Sequence, residues 1–222
     1  MSQIIPALII SDENPENDFE ELKAKFEKLK PFLVEFDNWV QIDITDGKFV
    51  KTKTNIDLID LKYFTERANV EFHLMIDRPE ETIGEWIRIV PKRVVVHIEA
   101  VIEVENIINV CRENSVEIGL ALNPETPLTL VEPWINAVDI IIFLGVRPGR
   151  GGQEFITEVL EKIKSLRQNF PNVKIAIDGG VKISNIEELK NAGVDIFVIG
   201  SGILKSSNVG QAIQDLKSSI SG

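Results

Sequence analysis

Eight short apolar runs divide the sequence from end to end. Each leads into a segment whose hydrophobic residues recur every three or four positions. The runs fall at 4–10, 39–44, 70–75, 93–98, 116–122, 138–144, 173–177 and 194–199. Several are almost unbroken, as in Val138-Asp139-Ile140-Ile141-Ile142-Phe143, the pattern of parallel strands covered on both faces. Helical spacing predicts helices at 18–30, with Phe19, Leu22, Phe26 and Leu29 on one face, and at 57–66, 104–113 and 156–169. Further helices are expected after Pro79, near Pro127, from Ser184 with Glu187 completing a capping box, and after Asn208 as a cap. Eight strand-helix units without a long insertion predict a (β/α)8 TIM barrel of the α/β class, with one domain spanning 1–222. A doubly wound open sheet is the alternative. The count of eight, and the lack of a Gly-x-Gly-x-x-Gly after the first run, favour the barrel.

Composition narrows the function. A net charge of −11 and a pI near 4.8 exclude nonspecific binding to nucleic acid or to an anionic membrane. Cys111 is the only cysteine, so no intrachain disulfide forms; its place in an apolar helical pattern marks a small core residue. One cysteine and two histidines do not make a structural zinc site. Neither a signal peptide nor a run approaching the roughly 20 apolar residues of a membrane span is present, so a cytoplasmic location is expected.

Candidate chemistry gathers at the C-terminal ends of the runs, which form the active face of such a barrel. Asp43 ends the second and Asp178 the seventh. Two carboxylates on separated strands suit removing a proton from one face of a carbon and delivering one to the other; they suit equally well a role as rim acids capping helices. His73 with Asp43 and Asp178 gives an N/O donor set for a divalent cation, although a lone histidine is more often hydrogen-bonded in the interior. Glu71 shares the face of His73, and His97 ends the fourth run. Three Gly-rich turns follow the last three strands: Arg147-Pro148-Gly149-Arg150-Gly151-Gly152-Gln153, Asp178-Gly179-Gly180 and Gly200-Ser201-Gly202. Backbone N–H groups in such turns can approach a phosphate closely; any one of them alone would be an ordinary tight turn.

These stretches resemble the ribulose-phosphate 3-epimerase family of phosphate-binding (β/α)8 barrels. Matching segments run in order along nearly the whole chain: Pro6 to Asp12, Ile42-Asp43 with Asp46-Gly47-x-Phe49-Val50, His73-Leu74-Met75-Ile76, Val96-His97-x-Glu99-Ala100, Leu122-Asn123-Pro124-x-Thr126-Pro127, Pro148-Gly149-x-Gly151-Gly152-Gln153, Asp178-Gly179-Gly180-Val181 and Gly200-Ser201. The resemblance implies an isomerase of carbohydrate metabolism, in the pentose phosphate pathway. Its small-molecule substrates would be D-ribulose 5-phosphate and D-xylulose 5-phosphate, interconverted at C3 through an enediolate. It implies Asp43 and Asp178 as the acid/base pair and, with His73, as ligands of a divalent metal (Zn, Mn or Fe). Gly149, Gly151, Gly152, Gly179, Gly180, Gly200 and Ser201, with His73, would bind substrate and phosphate. It also implies a homo-oligomer.

Departures from the family pattern bear on the sugar and the metal. Gln41 stands where the family has a metal-ligand histidine, which weakens or removes the metal site. Ala7 and Ile10 replace hydroxyl or amide residues, Thr45 and Leu144 replace methionines while Met75 remains, and Arg147 and Arg150 flank the Pro-Gly turn. The leading expectation is therefore an epimerase of this type. An epimerase for a different sugar phosphate and a catalytically impaired phosphate-binding barrel are the alternatives.

Overall fold

A computed structural model describes residues 2–10, 15–149 and 153–221. Asp12, Asn14, Arg150, Gly151 and Gly152 lie outside the described residues. The eight expected strands form: β1 (Gln3–Leu8), β2 (Trp39–Thr45), β3 (Asn69–Met75), β4 (Arg93–His97), β5 (Glu117–Leu122), β6 (Ile140–Leu144), β7 (Ile175–Asp178) and β8 (Ile196–Ile199). Each pairs in parallel with its sequence neighbour, and β8 returns to β1, closing the (β/α)8 barrel. Helices α1 (Asp18–Leu29), α2 (Leu58–Thr65), α3 (Ile83–Ile87), α4 (Val104–Glu113), α5 (Glu158–Asn169), α6 (Ile183–Ala192), α7 (Ser201–Leu204) and α8 (Val209–Ser221) surround it.

Period-two alternation sorts the strand residues into two apolar cores. Outward residues such as Ile42, Phe72, Val94, Leu120, Phe143 and Phe197 pack with helix residues including Leu22, Phe26, Phe64, Ile107 and Leu166. Inward residues Ile5, Ala7, Val95, Ala121, Ile142, Ala176 and Val198 fill the barrel interior. Cys111 is buried on α4, where burial pushes its thiol to about 12. That makes it a core residue rather than a nucleophile at neutral pH.

Local differences from the sequence expectation have identifiable causes. β6 begins at Ile140 because the Val138 N–H is already bonded to the Trp134 carbonyl. β7 begins at Ile175, the Val173 N–H being bonded to Phe170. Two 3-10 turns, Leu128–Leu130 and Glu132–Trp134, take the place of a helix near Pro127. The expected Ser184–Glu187 capping box does not form, because α6 starts earlier, at Ile183. Asn185 closes that end instead: its Oδ1 accepts the Lys182 N–H at 2.8 Å and its Nδ2 donates to the Gly180 carbonyl. Asn208 does cap α8, accepting the Gln211 N–H at 3.0 Å. Among the described residues no helix is long and apolar enough to cross a membrane.

An ionic cluster interrupts the apolar interior. Strand register sets Glu71 beside Arg93 and Arg93 beside Glu117. The Arg93 guanidinium donates through Nε to Glu71 and through Nη1 to Glu117 at 3.1 Å, and lies over the Trp39 ring. Arg93 and Glu71 are 2% and 1% exposed, so neither charge can fall back on water. Glu71 therefore serves Arg93 rather than the histidine it follows by two residues. Arg93→Ala would leave the Glu71 carboxylate buried without its partner and is expected to cost about 3–5 kcal/mol in urea unfolding. Arg78→Ala, which removes exposed pairs with Asp77 and Glu81, is expected to cost at most about 1 kcal/mol.

Candidate active site

β2, β3 and β7 each bring one side chain to the same point at the C-terminal mouth. Strand alternation turns Asp43, His73 and Asp178 inward, and barrel closure converts separation around the sheet into proximity. Ligand atoms from the three lie within 4.8 Å of one another. His73 Nδ1 is 3.2 Å from Asp178 Oδ2 and 3.5 Å from Asp43 Oδ1. The His73 side chain is buried, while those of Asp43 and Asp178 keep 16% and 12% exposure. The acids thus face the mouth and the imidazole stands behind them.

Gln41, one inward position before Asp43, completes the group. Its Nε2 donates to Asp43 Oδ1 and to Asp178 Oδ2, both at 2.8 Å. The sequence marks Gln41 as a replaced ligand, not as the donor that links the two acids; strand alternation, which places its side chain on their face, is the signal for that role.

Behind His73 a second histidine fixes the hydrogen-bond order. His73 Nε2 is 2.9 Å from His97 Nε2, and His97 Nδ1 is 3.3 Å from Glu99 Oε2. Glu99 is held in turn by the Asn123 N–H at 2.7 Å and by the Thr126 hydroxyl. Burial holds His97 neutral, with a pKa of about 4. Burial also opposes charge on His73, but its contacts with Asp178 and Asp43 outweigh that and raise it to about 10. Burial raises the Asp43 carboxyl as well, reinforced by Asp178 and opposed by His73 and Gln41. One proton cannot sit on both Asp43 and His73. The two carboxylates facing Nδ1 place it on His73. His73 then donates from Nε2 to His97, and His97 donates from Nδ1 to Glu99. The Glu99 carboxyl is lowered: burial opposes this, but bonds from His97, Thr126 and Asn123 prevail. In sequence His97 is only a strand-end residue and Glu99 only part of a matching segment; the structure makes them supports of His73.

Over the mouth lies a flap at 46–53. It is closed by an antiparallel bridge between Asp46 and Lys53 and by backbone and hydroxyl bonds between Thr45 and Thr54. Asp46 Oδ1 accepts the N–H groups of Lys48 and Phe49, and its Oδ2 accepts that of Asp77. Burial opposes ionisation of Asp46, but these three bonds outweigh it and lower its pKa. Phe49 is thereby set against His97, ring centroids 4.7 Å apart. A Cβ added to Gly149 would come within 3.2 Å of Val50, so the flap meets the turn after β6 closely.

The other residues marked in sequence take separate places. Gly179 and Gly180, directly after Asp178, have φ of +90° and +70°, and a Cβ there would strike Val146 and Phe155. Gly200 precedes α7, which Ser201 begins. Arg147 is exposed and engaged by Glu125. Once His73 gives up its Nδ1 proton, the donor set of Asp43, His73 and Asp178 suits a divalent cation, and Gln41 Oε1 is a fourth buried oxygen without a hydrogen-bond partner.

Residues 16–204 match the model of the ribulose-phosphate 3 epimerase family. The chain is 32% identical over 209 residues to the ribulose-phosphate 3-epimerase of Synechocystis sp., covering 89% of this chain and 91% of that one. It is 30% identical over 188 residues to that of Schizosaccharomyces pombe, covering 82% of each. A solved 3-hexulose-6-phosphate synthase shares the fold with a TM-score of 0.69 at 14% identity, over 99% of this chain and 100% of that one. An orotidine 5'-phosphate decarboxylase from Pyrococcus horikoshii does so with a TM-score of 0.64 at 16% identity, over 99% and 100%.

Asp46→Asn replaces a charged acceptor of three backbone N–H groups by a neutral one. The expected result is faster amide hydrogen exchange at Lys48, Phe49 and Asp77, and a stability loss of about 1–2 kcal/mol. Unchanged protection of these amides would show that the flap is held by other contacts.

Proposed function

The chain belongs to the ribulose-phosphate 3-epimerase family, and from that membership we propose that it epimerises D-ribulose 5-phosphate and D-xylulose 5-phosphate at C3. The observation that carries this reading is the convergence of Asp43 and Asp178, from strands far apart around the barrel, on one point at its mouth. One carboxylate takes the C3 proton, the electron pair passes into the enediolate, and the other carboxylate protonates C3 from the opposite face. The proton that His73 holds at Nδ1 passes to one of the two acids it faces, so that one starts ionised and the other protonated, and their roles exchange with each turnover. Their shared environment suits this exchange, because both accept from the same Gln41 nitrogen and face the same His73 nitrogen.

Phosphate binding falls to the turns after β6, β7 and β8: Gly149, Gly151, Gly152, Gly179, Gly180, Gly200 and Ser201. The positive φ of Gly179 and Gly180 supports this, since it turns successive backbone N–H groups toward a common point. Asp43, His73 and Asp178 would hold a divalent cation. When bound it supplies positive charge that stabilises the developing enediolate oxygens. His97 and Glu99 fix the orientation of His73, and the flap with Phe49 excludes water.

Incubation with D-ribulose 5-phosphate in D2O, with no metal and with Zn²⁺, Mn²⁺ or Fe²⁺ in turn, is expected to place deuterium at C3. No deuterium under any condition would overturn the reading. Asp43→Asn and Asp178→Asn are each expected to slow exchange by about 10²–10⁴-fold while leaving inorganic phosphate binding largely intact. A loss confined to phosphate binding would remove the acid from the proton-transfer step.

A further inference from the structure

Gln41 is buried to 1% exposure, and the two ends of its carboxamide have opposite fates. Nε2 lies 2.8 Å from Asp43 Oδ1, 2.8 Å from Asp178 Oδ2 and 3.5 Å from His73 Nδ1. A single nitrogen is therefore the common neighbour of all three atoms that would ligate a cation. Its two hydrogens both go to carboxylates, so nothing remains for His73. Oε1, at the other end, has no hydrogen-bond partner. The reverse orientation would set Oε1 against two carboxylate oxygens, so the unpartnered oxygen is the lesser cost.

We propose that Gln41 is an internal competitor for the cation: its N–H groups occupy the point the three ligand atoms share, and a cation binds only by displacing them. The inference rests on Asp43, His73 and Asp178 being a cation site, as in the function proposed above. N–H hydrogens and a cation draw on the same carboxylate lone pairs and cannot hold them together. Two consequences follow. The acids keep their spacing when no cation is bound, since the carboxamide links them. Cation affinity falls below what the donor set alone would give, because two charge-assisted hydrogen bonds are broken on binding. A displaced carboxamide that turns over offers Oε1, a neutral oxygen suited to harder cations such as Mn²⁺.

Mn²⁺ titration of the EDTA-stripped full chain, followed by the electron paramagnetic resonance of the free ion, separates the alternatives. Gln41→Ala removes the competing donors and is expected to bind Mn²⁺ about tenfold tighter than wild type. Gln41→Glu, of the same size but without N–H groups, is expected to bind more tightly still. Wild type that binds while Gln41→Ala binds equally or more weakly would overturn the competition and leave the cation site standing. Absence of binding in all three folded proteins, checked by near-ultraviolet circular dichroism, would overturn the cation site and the competition together. The wild-type protein supplies a test independent of the variants. The Gln41 side-chain NH2 resonances are expected to shift, and to exchange faster with solvent, as Zn²⁺ binds. Unmoved resonances in a Zn²⁺-bound protein would also overturn the proposal.

Discussion

Two carboxylates at the mouth of a barrel repel each other and are separated from most solvent, and everything around Asp43 and Asp178 answers that constraint. Coulomb repulsion between them grows as the local dielectric falls, so each needs a donor within reach. The structure supplies two shared ones. Gln41 gives both its N–H groups, and His73 turns one ring nitrogen to both acids. The amide is neutral, and the imidazolium faces both acids through a nitrogen that can pass its proton to either of them. The pair is thereby stabilised while proton transfer stays available.

The support extends outward in one direction only. His73 leans on His97, His97 on Glu99, and Glu99 on Asn123 and Thr126 at the end of β5. Each link fixes the donor sense of the next, so the orientation of His73 is set three residues away from the acids. Farther down the interior, Glu71, Arg93 and Glu117 solve a separate problem. There a full ionic cluster is tolerable because nothing in it has to change protonation state. The same barrel thus carries exchangeable donors at its mouth and a permanent ion pair below.

How much of this could be read in the sequence depends on the range of the interaction concerned. Eight apolar runs and most of the helices between them were legible, because burial on both faces of a parallel strand writes itself into consecutive residues; near Pro127 two 3-10 turns form instead. Asp43, His73 and Asp178 were legible as strand-end polar residues. Ends of elements were less so. Val138 and Val173 read as strand, yet their N–H groups are taken by the preceding turns. Ser184 and Glu187 read as a cap, yet Asn185 closes the helix from inside its first turn. The grouping of His73 with Asp43 and Asp178 was legible, but the pairing of Glu71 with Arg93 was not. Glu71 and His73 share a face two residues apart, but one pairs with Arg93 and the other with the acids, because neighbouring strands set the partners.

Gln41 shows the same limit at the scale of one functional group. In sequence it reads as the loss of a histidine, and a lost ligand implies a vacancy. In the folded chain the position is filled, and filled by a donor where a ligand would be an acceptor. A carboxamide can do either, since nitrogen and oxygen occupy nearly the same volume and differ in the sign they present. The choice is made by the charge of what it faces: two carboxylates select nitrogen, and a cation between them would select oxygen. The carboxamide therefore links the two acids, and which of its ends faces them depends on what the site contains.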